Sequence, residues 1–463
     1  MLNINLKKIM MKNKIFCIPI ETKVRELDGK LLLALNLLDK GFDIYLGARN
    51  GIFRELNYLE NAIYLAKSIS IENEHRYQKL KNNKNDIFVQ NVEGGILYKD
   101  VSGHFRNSYP KELMHFVDGV FLYGDELEKK FIEYNSNFPR KNILVSGEPR
   151  FDLLKGNLKK YYEPSVIKLK EKYNNYILVN TSFSIANPFV GEKQLFDHME
   201  KSDGYSKEVV DNLRYKNLYF KDVMNDFIDA LGFLSKKYPK INFIIRPHPS
   251  ESLDNYKEIF KEVKNISVLN KGNVHPWILA SKGVLHYDCT TGIESVLASK
   301  PTISYVPKKD KNIFAWLPTF VSKEVNNLQE LDLQINKIVS NSYGLHNLEE
   351  EKRIILNSFI ANVTKNSSDL IAEFFKNFYS NKQIATIKKT HLKLLLQRFK
   401  STLKYYKSIL LNEKKKKISM RKYGDISKNE VEEKLRLLSK TNNKSFNFTI
   451  NSYGKNVIHI KKK

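Results

Sequence analysis

Only two cysteines, Cys17 and Cys289, occur in 463 residues, so no disulfide framework organises the chain. Both fall in regions predicted as strands, which reads as reduced core thiols in a cytosolic protein. No run of eighteen apolar residues exists, and this excludes a helix that spans a bilayer. Residues 1–14 carry lysines but no apolar core and no small-residue cleavage site, so they are not expected to act as a secretion signal. A Walker-type loop, the glycines of a dinucleotide fingerprint and any Asp-x-Asp pair are also missing. Neither a kinase nor a dehydrogenase is therefore favoured, and nothing suggests a metal-bridged diphosphate. His286 and Asp288 are close in sequence, but such a pair in a strand reads as structural, so no metal site is expected.

Acidic residues are scarce in one place. Residues 381–463 hold 23 Lys/Arg against five Asp/Glu, a net +18 of the total +26, and the other 380 residues carry +8. The body is therefore not expected to bind nucleic acid. A hydrophobic content of 42% and a charged content of 28% are those of an ordinary soluble protein, and the length suffices for two α/β cores.

The first half alternates strand and helix. Residues 15–20, 43–46, 61–65, 86–90, 119–123 and 142–146 predict strands; residues 26–38, closed by Gly41, with 53–59 and 125–134, predict helices. A charged helical stretch at 163–172 precedes a second series. Its predicted strands are 176–179, 241–245, 283–287 and 302–306, with a polar insert at 187–206 and helices at 218–237 and 348–375. Strands separated by helices imply right-handed crossovers and parallel sheets. The expected architecture is two doubly wound domains facing a cleft: residues 1–162, residues 163–345, closing helices at 346–380 and a basic tail at 381–463.

The chemistry concentrates at predicted strand ends. Arg246-Pro247-His248-Pro249-Ser250-Glu251 leaves an apolar strand, where open α/β sheets hold ligands, and the prolines stiffen the exit. Forty residues on, Thr290-Thr291-Gly292-Ile293-Glu294 opens a helix whose first N–H groups attract phosphate. Asn180, Thr181 and Ser182 follow the first strand of the second half, where a phosphate-facing loop is placed. Together these suggest a nucleotide mono- or diphosphate ester. In the first half, Glu93-Gly94-Gly95 ends a strand and offers Glu93 as general base or nucleophile. Glu21 and Arg25 lie in the first strand-to-helix turn, where Arg25 would hold an acidic acceptor or donor, or pair with Glu21 or Glu26. Arg150, in Gly147-Glu148-Pro149-Arg150-Phe151-Asp152, would line the cleft or pair with Asp152.

The tail has its own pattern. Leu395, Leu396, Phe399, Leu403, Tyr406 and Leu410 recur at three- and four-residue steps, lysines take other faces, and the run Lys414–Lys417 follows. That predicts a helix lying on an anionic membrane surface, or one packed on the body.

The elements Ile18-Pro19-Ile20-Glu21 with Arg25, Glu93-Gly94-Gly95, residues 147–152, Arg246-Pro247-His248-Pro249 and Thr290 to Ser295 together resemble the bacterial surface carbohydrate biosynthesis family. The resemblance covers residues 14–345. That family is similar to GT-B glycosyltransferases, including capsule Kdo transferases and bacterial sialyltransferases that use CMP-activated sugars. There a His-Pro pair and a Ser/Thr pair hold the nucleotide phosphate; His248-Pro249 and Thr290-Thr291 match them. Of the acidic-acidic-Gly catalytic motif only Glu93-Gly94 matches, since Val92 takes the other acidic position. The resemblance implies a GT-B-like fold and a CMP-sugar donor, with Glu93 as base, His248 on the phosphate and Glu294 on ribose hydroxyls. It implies no metal or cofactor beyond the donor, a glycan or lipid-linked glycan acceptor, and a cytoplasmic site on the inner face of the cell membrane. A polyol-phosphate transferase of the CDP-glycerol type and a UDP-sugar epimerase resemble the same half, and a non-catalytic assembly scaffold is the alternative from another class.

Overall fold

The computed structural model describes residues 14–91, 102–201, 206–310, 313–344, 349–360, 365–379, 386–387, 391–411 and 424–463. The described residues form two units, one of residues 14–161 and 357–463, the other of residues 162–356. Both are α/β with a doubly wound, Rossmann-like parallel sheet.

In the first unit β1 (Lys14–Ile20), β2 (Phe42–Ala48), β4 (Ile63–Ala66), β5 (Asp86–Gln90), β6 (Gly119–Leu122) and β7 (Ile143–Val145) run parallel; β3 (Leu59–Glu60) stands apart. Their order, β2-β1-β4-β5-β6-β7, reverses direction between β1 and β4. Residues 15–20 are all buried, as strands covered on both faces require, and their apolar run is the reason they are legible as strand. The helix Lys23–Asp39 is buried from Glu26 to Leu38. At Gly29 a Cβ would stand 2.7 Å from the backbone of Arg150, so only glycine lets this helix meet the turn at 149–152.

The second unit holds β8 (Tyr176–Asn180), β9 (Asn242–Arg246), β10 (Ile266–Val268), β11 (Gly283–His286), β12 (Thr302–Tyr305) and β13 (Lys323–Val325), all parallel. The order β10-β9-β8-β11-β12-β13 starts in the middle and winds outward both ways, so the topological switch lies between β8 and β11. The core between sheet and helices includes Val179, Phe183, Phe227, Ile245 and Tyr287.

Four expectations change. The helix expected over 53–59 runs from Arg49 to Leu56, and Leu59 lies in β3. The long helix begins at Lys207 rather than residue 218, because the Ser206 side chain caps it by accepting from the Val209 N–H. The predicted insert contains a helix, Glu192–Glu200. The expected helix over 348–375 is two helices, Glu350–Ile360 and Ser367–Phe378. The second begins where Asp152 accepts from the N–H groups of Ser367 and Ser368, each at 2.9 Å. That cap lies more than two hundred residues away, beyond any local signal.

The basic tail, expected to be helical, also supplies strands to the first unit. Thr386–Ile387, β14, pairs antiparallel with β3. β15 (Phe448–Ser452) and β16 (Val457–Lys462) form a hairpin, and β16 lies antiparallel to β2. The sheet thereby becomes β15-β16-β2-β1-β4-β5-β6-β7. Val457, Ile458 and Ile460 are fully buried against it, and Gly47 leaves room for the Asn456 carbonyl, which a Cβ would meet at 2.1 Å. Part of the positive charge is answered locally: Lys434 pairs with Asp28 at 2.7 Å and Lys444 with Asp39 at 3.1 Å. The run Lys414–Lys417 lies outside the described residues.

Candidate functional site

β9, β8 and β11 are neighbours, so the turns that follow them gather at one sheet edge. The ends of β9 and β11 are two strand spacings apart, about 10 Å. Every second-unit residue singled out from the sequence lies at the end of one of these strands, on the turn that follows it or on the short helix Thr291–Leu297.

Glu251 organises them. Its carboxylate is fully buried and accepts from the Thr181 hydroxyl at 2.9 Å, the Phe183 N–H at 3.1 Å, the His248 N–H at 3.0 Å and the Tyr256 hydroxyl at 2.8 Å. One side chain therefore joins the turn after β8 to the turn after β9. Burial pushes its pKa up while these donors pull it down, and the net direction is upward. Sequence reasoning quoted Glu251 within the stretch but assigned it no role. The available signal was a carboxylate three residues beyond His248, positioned to bond that residue's N–H.

His248 is half-buried, and its Nδ1 accepts the Ser250 N–H at 3.2 Å. In the neutral ring the proton is then on Nε2, which makes Nε2 a donor. Ser182 and Thr290 are also half-buried. These three are the accessible polar side chains among the nine residues expected to bind nucleotide.

The others are enclosed. The Arg246 guanidinium donates to the carbonyls of Lys271 and Gly272, at 2.8 and 3.0 Å, and lies 4.9 Å from the Trp277 ring centroid. The two carbonyls take Nη1 and Nη2, while the buried Nε has no hydrogen-bond partner among the described residues; burial lowers the guanidinium pKa to about 10. The Thr181 hydroxyl is committed to Glu251. Asn180 donates to the Arg246 carbonyl at 3.3 Å, and its buried Oδ1 has no hydrogen-bond partner. Thr291 is buried beside Cys289. Gly292 answers a packing demand: a Cβ there would stand 2.5 Å from Nε2 of His286. That imidazole is buried, bonds the Ser322 hydroxyl at 2.9 Å, and is held neutral by burial, with a pKa lowered to about 3. The expected open helix start is also partly used, since the Gly292 N–H donates to the Cys289 carbonyl and the Glu294 N–H to that of Thr290. Glu294 is 1% exposed and faces His275, Nε2 to Oε2 at 3.8 Å. His275 in turn meets the Tyr162 hydroxyl at 3.2 Å; none of its surroundings was predicted.

In the first unit, Glu93 lies outside the described residues. Glu21 pairs with Arg49 at 2.9 Å and Lys67 at 3.5 Å, at the reversal between β1 and β4. Glu26 is buried, pairs with Lys30 at 2.6 Å and accepts from the Thr22 N–H. Arg25 is half-buried. Arg150 is buried over the Phe151 ring, and Asp152 accepts from Ser367 and Ser368 and lies 3.4 Å from Lys155. Beside it Glu148, unassigned from sequence, is buried; burial, opposed by Arg150 and Lys30, pushes its carboxyl up to about 7. Among the described residues no group of three His, Cys, Asp or Glu side chains is arranged to hold a metal ion.

No protein-family model matches the chain, and no curated protein matches it significantly. Solved structures show similarity in overall course. The chain is similar to UDP-GlcNAc 2-epimerase from Methanocaldococcus jannaschii, at 12% identity and a TM-score of 0.49, covering 79% of this chain and 99% of that one. It is similar to UDP-GlcNAc 2-epimerase from Neisseria meningitidis bound to UDP-GlcNAc, at 13% identity and 0.47, over 79% and 100%. The wall teichoic acid polymerase TagF gives 10% identity and 0.45, over 80% and 88%.

Proposed function

We propose that the chain is a GT-B-type glycosyltransferase of surface polysaccharide biosynthesis, moving a CMP-activated ulosonic or nonulosonic acid onto a glycan acceptor. The observation that carries this reading is the set Ser182, His248 and Thr290, half-buried on the turns of three adjacent strands at the sheet's topological switch. The backbone bond at Nδ1 of His248 turns the ring's N–H to the other side. The motif resemblance of His248-Pro249 and Thr290-Thr291 points the same way.

In this reading the bond between the anomeric carbon and the phosphate oxygen breaks, and its electron pair leaves with CMP. His248 Nε2–H, Ser182 and Thr290 donate to the departing phosphate. A single leaving phosphate carries less charge than a diphosphate, so such donors suffice without a metal. The acceptor hydroxyl attacks the anomeric carbon and gives its proton to Glu93. Arg25 is the remaining candidate for an acceptor carboxylate. Glu294, buried beside His275, is the candidate for the ribose hydroxyls. A peripheral place on the inner face of the cell membrane completes the proposal.

A thermal-shift screen with CMP, CDP, UDP and GDP tests it, because a ligand at a hundred times its Kd stabilises by about 2.7 kcal/mol. Stabilisation by CMP and sugar transfer from a CMP-sugar are expected. A product that retains an added phosphate would instead indicate polyol-phosphate transfer, conversion of a UDP-sugar without acceptor an epimerase, and binding without turnover a scaffold.

A further inference from the structure

The helix His391–Leu411 carries three stripes. Arg398, Ser401 and Thr402 face the first unit. Arg398 holds the buried Glu55 with Nη2 2.5 Å from Oε2 and lies 3.9 Å from the Tyr453 ring centroid; Ser401 accepts from Arg54 at 2.5 Å. Thr402 accepts from the Lys455 N–H at 3.3 Å. The second stripe is Leu395, Leu396, Phe399, Leu403, Tyr406 and Leu410, all exposed, with Phe399 at 63% and Leu410 at 82%. The third is Lys400, Lys404 and Lys407, also exposed, alongside the apolar stripe.

An amphipathic helix packed on a protein body normally turns its apolar side inward. Here Arg398, Ser401 and Thr402, with the buried Leu394, make the anchor, and the longer apolar stripe points away from it. At 1.5 Å per residue the stripe runs for roughly 20 Å, large for an exposed patch on a monomer. Charge identifies what covers it. Residues 391–417 contain nine Lys/Arg and one carboxylate, Glu413. Two copies meeting through such faces would oppose like charges, whereas an anionic lipid surface takes both the apolar stripe and the lysines. Among the described residues no helix is long and apolar enough to cross a membrane, so the helix would lie along the surface.

We infer that the exposed stripe of His391–Leu411 is a docking face for an anionic membrane surface, with Phe399, Leu403 and Leu410 entering the acyl boundary and Lys400, Lys404 and Lys407 meeting headgroups. This specifies the membrane partner of the reading above but does not depend on its chemistry.

The test is co-sedimentation of the full chain with phosphatidylcholine vesicles, with and without phosphatidylglycerol, beside light scattering of the free protein. Wild type should bind only the anionic vesicles. Phe399→Ser/Leu403→Ser/Leu410→Ser should abolish binding, and Lys400→Gln/Lys404→Gln/Lys407→Gln should weaken it by on the order of 100-fold. All six positions are exposed, so unfolding midpoints should stay as in wild type, and any nucleotide-induced stabilisation, read on the same variants, reports separately on the site chemistry. Wild-type protein left in the supernatant, or the serine variant pelleting like wild type, overturns the inference. So does a wild-type dimer that the serine variant splits without any lipid binding, which would make the stripe an interface between copies.

Discussion

The Thr181 hydroxyl lies 2.9 Å from both carboxylate oxygens of Glu251, although seventy positions separate the residues in the chain. With the N–H groups of Phe183 and His248 on the same carboxylate, the turns after β8 and β9 are tied together. Replacing the carboxylate leaves several buried donors without an acceptor. Glu251→Ala should lower stability by roughly 3–5 kcal/mol, and Thr181→Val by about 1–2 kcal/mol. Denaturant unfolding measures both; a wild-type midpoint for Glu251→Ala would remove it as the organiser of the site.

Gly292 faces the buried ring of His286 so closely that a methyl group meets two ring atoms, at 2.5 and 2.7 Å. Gly292→Ala should therefore cost about 1–3 kcal/mol. Combining it with His286→Ser makes room, so the pair should cost less than the sum of the single changes. Simple additivity in thermal or denaturant unfolding would show that the contact is not what requires glycine.

Asp288 is buried at a positive φ of 47°, accepts the Ala315 N–H at 3.0 Å, and has its carboxyl pushed up to about 7 by burial. An unfolded carboxyl ionises near pH 4, so between about pH 4 and 7 the folded protein holds a proton that the unfolded chain has released. Stability from this group is present below that window and is lost as pH rises through it. Asp288→Asn, which suits positive φ, should gain roughly 2–4 kcal/mol relative to wild type between about pH 4 and 8. His286 acts in the opposite sense: its depressed pKa means stability is lost as pH falls below about 6.5, where only the unfolded chain is protonated. A pH-independent difference between wild type and Asp288→Asn would count against a protonated Asp288.

His248→Ala should reduce kcat by on the order of 10²–10³ in a transfer assay if Nε2–H stabilises the departing phosphate. Glu93→Gln should abolish transfer yet keep nucleotide-induced stabilisation. An unchanged kcat in either variant takes that residue out of the chemistry.

The regular elements were legible where a local pattern suffices. The helix Asp125–Tyr134 and the strand Asp86–Gln90 have the expected bounds, since apolar spacing and an acidic first turn are encoded within a few residues. β10 and β13, at three residues each, are too short to carry a period. The hairpin of β15 and β16 was not legible because its strands are only five and six residues long, and burial of Val457, Ile458 and Ile460 depends on a vacant edge of β2 far earlier in the chain.

By itself, the amino-acid order determined the α/β alternation, placed the His-Pro and Thr-Thr pairs at strand ends, and marked a helix with an apolar stripe in the basic tail. Tertiary structure decided which polar side chains are enclosed and which stay half-buried. It enclosed Arg246 against two carbonyls, gave Thr181 to Glu251, and left Ser182, His248 and Thr290 accessible. It also turned the tail helix so that Arg398 grips Glu55 and the leucines face outward. Periodicity follows from covalent neighbours, whereas hydrogen-bond satisfaction and the outward face of a helix depend on groups that only folding brings within reach.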